Sequence, residues 1–116
     1  MILSIIAIVI ATGCSEQTFV GKSTSNDSQF ILDYSIFNST KTHEIKLGKG
    51  ATINVGIENK AGRVDILISN SNGEKIYKGD NATSGKFSLD IPKEDTYKFS
   101  VTGINAKGNI SFEVAD

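Results

Sequence analysis

The stretch Thr52-Ile53-Asn54-Val55-Gly56-Ile57-Glu58 decides the fold. In an extended chain successive side chains point to opposite sides. Ile53, Val55 and Ile57 therefore share one face, with Thr52, Asn54 and Gly56 opposite. Apolar residues at every second position mark a strand buried on one side, and β-branched residues suit such a surface. A helix would need apolar residues three and four apart.

The period continues outward in both directions. Upstream, Gln29 to Phe37 alternates, with Phe30, Leu32, Tyr34 and Ile36 together against Ile31, Asp33, Ser35 and Phe37. His43, Ile45 and Leu47 follow. Downstream come Val64, Ile66 and Ile68; Phe87, Leu89 and Ile91; Tyr97, Phe99 and Val101; and Ile110, Phe112 and Val114. Turn residues punctuate these runs. Leu47-Gly48-Lys49-Gly50 and Asn59-Lys60-Ala61-Gly62 are read as separators between strands, and Gly103 to Gly108 as the close of a last hairpin. Ile91-Pro92-Lys93-Glu94-Asp95 suits a type I turn. Asn72-Gly73 is the strongest hairpin signal. A two-residue loop there sets Ile68 opposite Tyr77, and a three-residue loop with a bulge sets it opposite Ile76. Strands and turns at this spacing predict an all-β, antiparallel β-sandwich, jelly-roll-like, of about eight strands over residues 29–116.

The N-terminal part obeys different rules. Residues 1–13 carry no charged side chain, and Ile2 to Ala11 is apolar but for one Ser. Ten helical residues span about 15 Å, half of a bilayer core, which suits the apolar region of a signal peptide rather than a membrane span. The run ends in Ala11-Thr12-Gly13-Cys14, the only Cys of the chain. This resembles the lipobox of bacterial lipoproteins. The resemblance implies recognition of Ala11, Thr12 and Gly13 by signal peptidase II, a diacylglyceryl group on the Cys14 sulfur, and a membrane partner reached through that lipid on the extracytoplasmic face. No Lys or Arg precedes the apolar run, so the natural start is expected a few residues upstream. Residues 15–28 are rich in Ser and Thr and read as a flexible tether of about 20 Å r.m.s. span, in which Phe19 and Val20 are stray apolar residues. The expected organisation is therefore signal peptide 1–13, lipidated Cys and linker 14–28, and domain 29–116.

A second resemblance lies near the C-terminus. Asp95-Thr96-Tyr97-Lys98-Phe99-Ser100-Val101-Thr102-Gly103, followed by Lys107-Gly108-Asn109-Ile110-Ser111-Phe112, is similar to the last hairpin of bacterial pre-peptidase C-terminal-type domains. It implies a non-catalytic accessory or binding module and no particular ligand.

Little else carries chemistry. With 12 basic and 13 acidic residues the net charge is −1, no field for nucleic acid. One Cys and one His cannot build a four-ligand zinc site, and no cofactor motif is present. His43 has no local triad partner, because Thr42 and Glu44 point to the opposite face. Asn70, Asn72, Glu74 and Asp80 flank a Gly turn but fail the calcium-loop pattern, and turn chemistry explains them. Tyr34 and Tyr97 fall on the apolar face. Tyr77 is the one ring left for a sugar platform, so its exposure discriminates a carbohydrate- or peptide-binding module. The expected function is a lipid-anchored, non-catalytic binding or structural module of a bacterial envelope, with no metal or cofactor.

Overall fold

The structure is a computed structural model and describes residues 17–115. Its strands are β1 (Thr18–Asn26), β2 (Gln29–Asn38), β3 (Thr40–Leu47), β4 (Thr52–Ser69), β5 (Lys75–Gly79), β6 (Gly85–Asp90) and β7 (Asp95–Val114). Every pairing among them is antiparallel. The two long strands, β4 and β7, run against each other from Ile53 opposite Val114 to Ser69 opposite Lys98. This ribbon supplies the centre of both layers of a β-sandwich. The first half of β4 and the second half of β7 sit in the layer ordered β1-β2-β7-β4-β6. Their other halves sit in the layer ordered β3-β7-β4-β5.

Facing side chains join the layers. The Phe30 ring of β2 lies 5.5 Å from that of His43 in β3, and Phe99 and Phe112, from the two halves of β7, meet edge to face at 5.2 Å. The alternation read in the sequence holds along the ribbon: Ile53, Val55, Ile57, Val64, Ile66, Ile68, Tyr97, Phe99, Val101, Ile110 and Phe112 are all buried. The buried Tyr97 hydroxyl donates to the Lys93 carbonyl at 2.6 Å, which closes the entry into β7 in the manner of a tyrosine corner.

Three expectations are corrected, and a fourth point left open by the sequence is resolved. First, Asn59–Gly62 and Gly103–Gly108 do not separate strands or close a hairpin. Each is a bend inside a continuous strand, with register shifts on either side of Ala61. Gly62, Asn105 and Gly108 take φ of 73°, 47° and 144°. A Cβ at Gly62 would strike the carbonyl oxygens of Ile104 and Asn105, and one at Gly108 the carbonyl of Glu58. The residues that permit a tight turn also permit a bulged bend, so composition does not distinguish them.

Second, Thr18–Asn26 is no tether. It pairs with β2 over its whole length, from Thr18 opposite Asn38 to Asn26 opposite Gln29. Its exposed Ser and Thr side chains hide an edge strand held mainly by the backbone ladder. Phe19 is no stray residue either, for its ring stands edge-on to Phe37 at 5.3 Å. Folded structure thus starts by Thr18, eleven positions before Gln29.

Third, a bulge between Tyr34 and Phe37 inverts the alternation at the end of β2. Phe37 is fully buried and Ile36 is exposed, the reverse of the parity expected.

Fourth, the Asn72-Gly73 loop combines both alternatives. Asn70 and Glu74 close a three-residue loop, with the Asn70 N–H donating to the Glu74 carbonyl at 2.9 Å and Gly73 at φ 81°. A further bulge between Ile68 and Ser69 still sets Ile68 opposite Tyr77.

Phe99→Ala is expected to lower unfolding free energy by about 3–5 kcal/mol in urea titrations. Gly108→Ala should cost more than about 1 kcal/mol through backbone strain at the bend. Gly48→Ala, with open space around it, should cost less than either.

Candidate functional site

The outward side of the β1-β2-β7-β4-β6 layer gathers small and polar residues. The register places Ser88, Asn54 and Glu113 in one row across β6, β4 and β7. Lys86, Gly56 and Ser111 form the next row, and Glu58 and Asn109 the one beyond. With only a hydrogen at Gly56 and a hydroxymethyl at Ser111, the centre is low. Two adjoining hollows of about 430 and about 410 Å³ share Gly56, Lys86 and Ser111 and make one trough. Ser88 donates to the Asn54 side chain at 2.9 Å, and Asn109 donates to Glu58 at 2.9 Å, so parts of the rim are fixed. Among the described residues Lys86 and Ser111 make no side-chain hydrogen bond or ion pair, which leaves both for a ligand.

The trough has donors, acceptors and both charges, and the one ring that lines it, Phe87, is already packed against Tyr77 at 5.2 Å. It suits an extended polar molecule held by hydrogen bonds. Sequence reasoning placed Asn54 and Gly56 on the wet side of their strand. It missed Ser88 and Ser111 as their neighbours, because strand order brings them together from far along the chain.

A third hollow, of about 360 Å³, lies on the same side towards the β4–β7 bends. It is lined by Gly21, Lys22, Asp33, Tyr34, Ser35, Lys60, Lys107 and Gly108. The Tyr34 hydroxyl beside it is buried, and no group among the described residues bonds it. Burial, reinforced by the negative charge of Asp33, pushes this phenol up to about 12.

The candidates read from the sequence fall elsewhere. His43 is half-buried, with Nε2 2.7 Å from the Asn26 carbonyl. It lines none of these hollows, and its hydrogen-bond partner is a backbone carbonyl, not a Ser or an acid. Asn70 is buried, and its Oδ1 accepts from the backbone N–H groups of Asn72 and Glu74, while its amide donates to the Glu74 carboxylate. That oxygen is thus spent on the turn, and among the described residues no cluster of His, Cys, Asp and Glu forms a metal site. Tyr77 is half-buried, stacked obliquely on Phe87 at 5.2 Å with its hydroxyl end over Gly79, so it is no open platform. Ala11, Thr12, Gly13 and Cys14 lie outside the described residues.

The carboxylates with displaced titration are clasps. The N–H of Asn81, then Arg63, hold Asp65 below the usual range. The Asn70 amide, then Lys93, do the same for Glu74, and Ser71, then the Thr96 N–H, for Asp95. All move away from the neutral pH at which a general acid or base works best.

No protein-family model and no curated protein matches this chain in sequence. Among solved structures, the pre-peptidase C-terminal domain of a collagenase from Bacillus anthracis is similar at a TM-score of 0.53 and 11% identity, over 87% of this chain and 100% of that one. A periplasmic lysozyme inhibitor of g-type lysozyme from Aeromonas hydrophila is similar at a TM-score of 0.49 and 14% identity, over 82% of this chain and 88% of that one. The first likeness concerns the fold. It agrees with the resemblance carried by residues 95–112, and the chain is an antiparallel β-sandwich of this general kind.

Spectrophotometric titration is expected to show one tyrosine ionising near 12, lost in Tyr34→Phe. Since the unfolded phenol ionises near 10, the folded state binds the extra proton above that pH. Wild-type stability should therefore fall as pH rises from about 10 towards 12, and Tyr34→Phe should fall less.

Proposed function

We propose that this protein is a lipid-anchored, extracytoplasmic, non-catalytic binding module of a bacterial envelope, with its ligand in the Gly56–Ser111 trough. The observation that carries the binding assignment is the trough itself: two joined hollows with Lys86 and Ser111 uncommitted. A ligand lying across strands would meet hydroxyl, amide, ammonium and carboxylate groups in succession. The one ring that lines the trough, Phe87, is taken up by Tyr77, which favours hydrogen bonding over stacking. The location rests on the lipobox resemblance at Ala11-Thr12-Gly13-Cys14.

Binding to purified peptidoglycan, which offers both glycan and peptide strands, and to a glycan panel tests the trough. Gly56→Leu fills its floor from a strand position without positive φ. It should weaken binding by about tenfold, roughly 1.4 kcal/mol, with an unchanged β-sheet spectrum. Equal binding by this variant, or binding to none of these ligands, overturns the assignment. Metabolic labelling with a clickable palmitate tests the anchor: wild type should label and Cys14→Ala should not. Equal labelling refutes the lipid site.

A further inference from the structure

We propose that the end of the sandwich where β1 begins is a docking surface for an anionic bilayer, seated on the membrane that holds Cys14. This rests on the reading of Cys14 as lipidated. Three independent features meet at that end.

The first is reach. Four Cα steps separate Cys14 from Thr18. At about 3.3–3.6 Å each they span at most roughly 14 Å. A lipid on Cys14 therefore holds the start of β1 against the headgroups, where a 14-residue tether would have lifted it clear.

The second is apolar exposure. Among the described residues the exposed large hydrophobic side chains are Val20, Ile36 and Ile104. Val20 and Ile36 are cross-strand partners near the start of β1. Ile104 lies on the β7 bend at the same end of the sandwich, where the N–H of Asn105 donates to the Asn38 side chain. Exposed apolar side chains scattered over a surface need no account, but gathered at one end they mark a contact. Here the nearest available contact is the membrane.

The third is charge. The segments that build this end are 18–20, 36–41, 59–65, 80–84 and 102–108. Their carboxylates, Asp65 and Asp80, are paired with Arg63 and Lys78, which leaves Lys41, Lys60 and Lys107 in excess. Lys60 and Lys107 line the third hollow together with Lys22, and among the described residues neither makes an ion pair. That hollow offers three ammonium groups against the one carboxylate of Asp33. Basic residues are drawn to an anionic surface within a Debye length of about 8–10 Å. The reach set by the short leash keeps them at about that distance.

The test uses the full chain, expressed in a bacterial host and purified with its lipid. Mass spectrometry first reads the diacylglyceryl group on Cys14. Ile36→Cys, Ile104→Cys and Asn72→Cys, the last at the opposite end, are each labelled with bimane. The proteins are then placed in vesicles of phosphatidylglycerol and phosphatidylethanolamine containing brominated lipid. Labels at 36 and 104 should be quenched and the label at 72 should not. Lys60→Glu with Lys107→Glu should reduce the quenching at 36, as should replacing phosphatidylglycerol by phosphatidylcholine. Lipid on Cys14 with equal quenching at all three positions overturns the docking surface and leaves the anchor standing. Quenching at 36 that ignores both the lysines and the lipid charge overturns the electrostatic docking. Absence of lipid on Cys14 overturns anchor and docking together.

Discussion

The antiparallel pairing of β4 with β7 is the constraint on which the remaining strands depend. Both strands are long enough to cross from one layer to the other, and they do so side by side. A ribbon with an apolar face on each half can bury both only by folding over itself. Gly62, Asn105 and Gly108 allow this by taking backbone angles that most side chains resist. Once the ribbon is bent, the other strands add to its edges: β6, β2 and β1 on one layer, β5 and β3 on the other. The core then consists of rings and branched aliphatics that meet from the two halves of the same pair of strands.

The same bend explains where chemistry is available. The inner faces are filled, so recognition falls to an outer face. On the larger layer that face is shaped by what is missing at Gly56 and Ser111. A side chain of ordinary size at either position would level the trough. Both lie in regular register, where a larger residue is sterically admissible, and only the Ser111 hydroxyl approaches a Cβ placed at Gly56. The small residues therefore do not follow from the demands of the strand.

Much of the fold was legible in the sequence because burial on one face imposes period two. Ile53, Val55 and Ile57 could be assigned to the core with no knowledge of their neighbours. What stayed illegible shares a physical cause. A bulge changes parity without changing composition, so Ile36 and Phe37 exchanged roles unseen. An edge strand needs no apolar face, so β1 looked like a tether. A bend and a turn draw on the same residues, so Asn59–Gly62 and Gly103–Gly108 read as strand ends. The trough was half legible: Asn54 and Gly56 announced a wet face. Ser88 and Ser111 became their neighbours only through pairings that span more than thirty residues.

The near-zero net charge conceals a separation that only the fold reveals. Because strands run end to end, chain segments far apart in sequence collect at one pole or the other. At the pole where β1 starts, Asp65 and Asp80 are paired with Arg63 and Lys78, and Lys41, Lys60 and Lys107 remain outside the ion pairs of the described residues, while the opposite pole holds Asp27, Glu74, Asp90, Glu94, Asp95 and Glu113 among a few lysines. An anionic surface attracts the first pole and repels the second, which favours an upright orientation over a lying one. An upright domain keeps the trough on its flank, open to ligands beside the membrane and not pressed against it. On the proposed arrangement an anchor at Cys14, the exposed apolar triad and the excess of lysines would have one consequence in common: they would fix which face of the sandwich an envelope could reach.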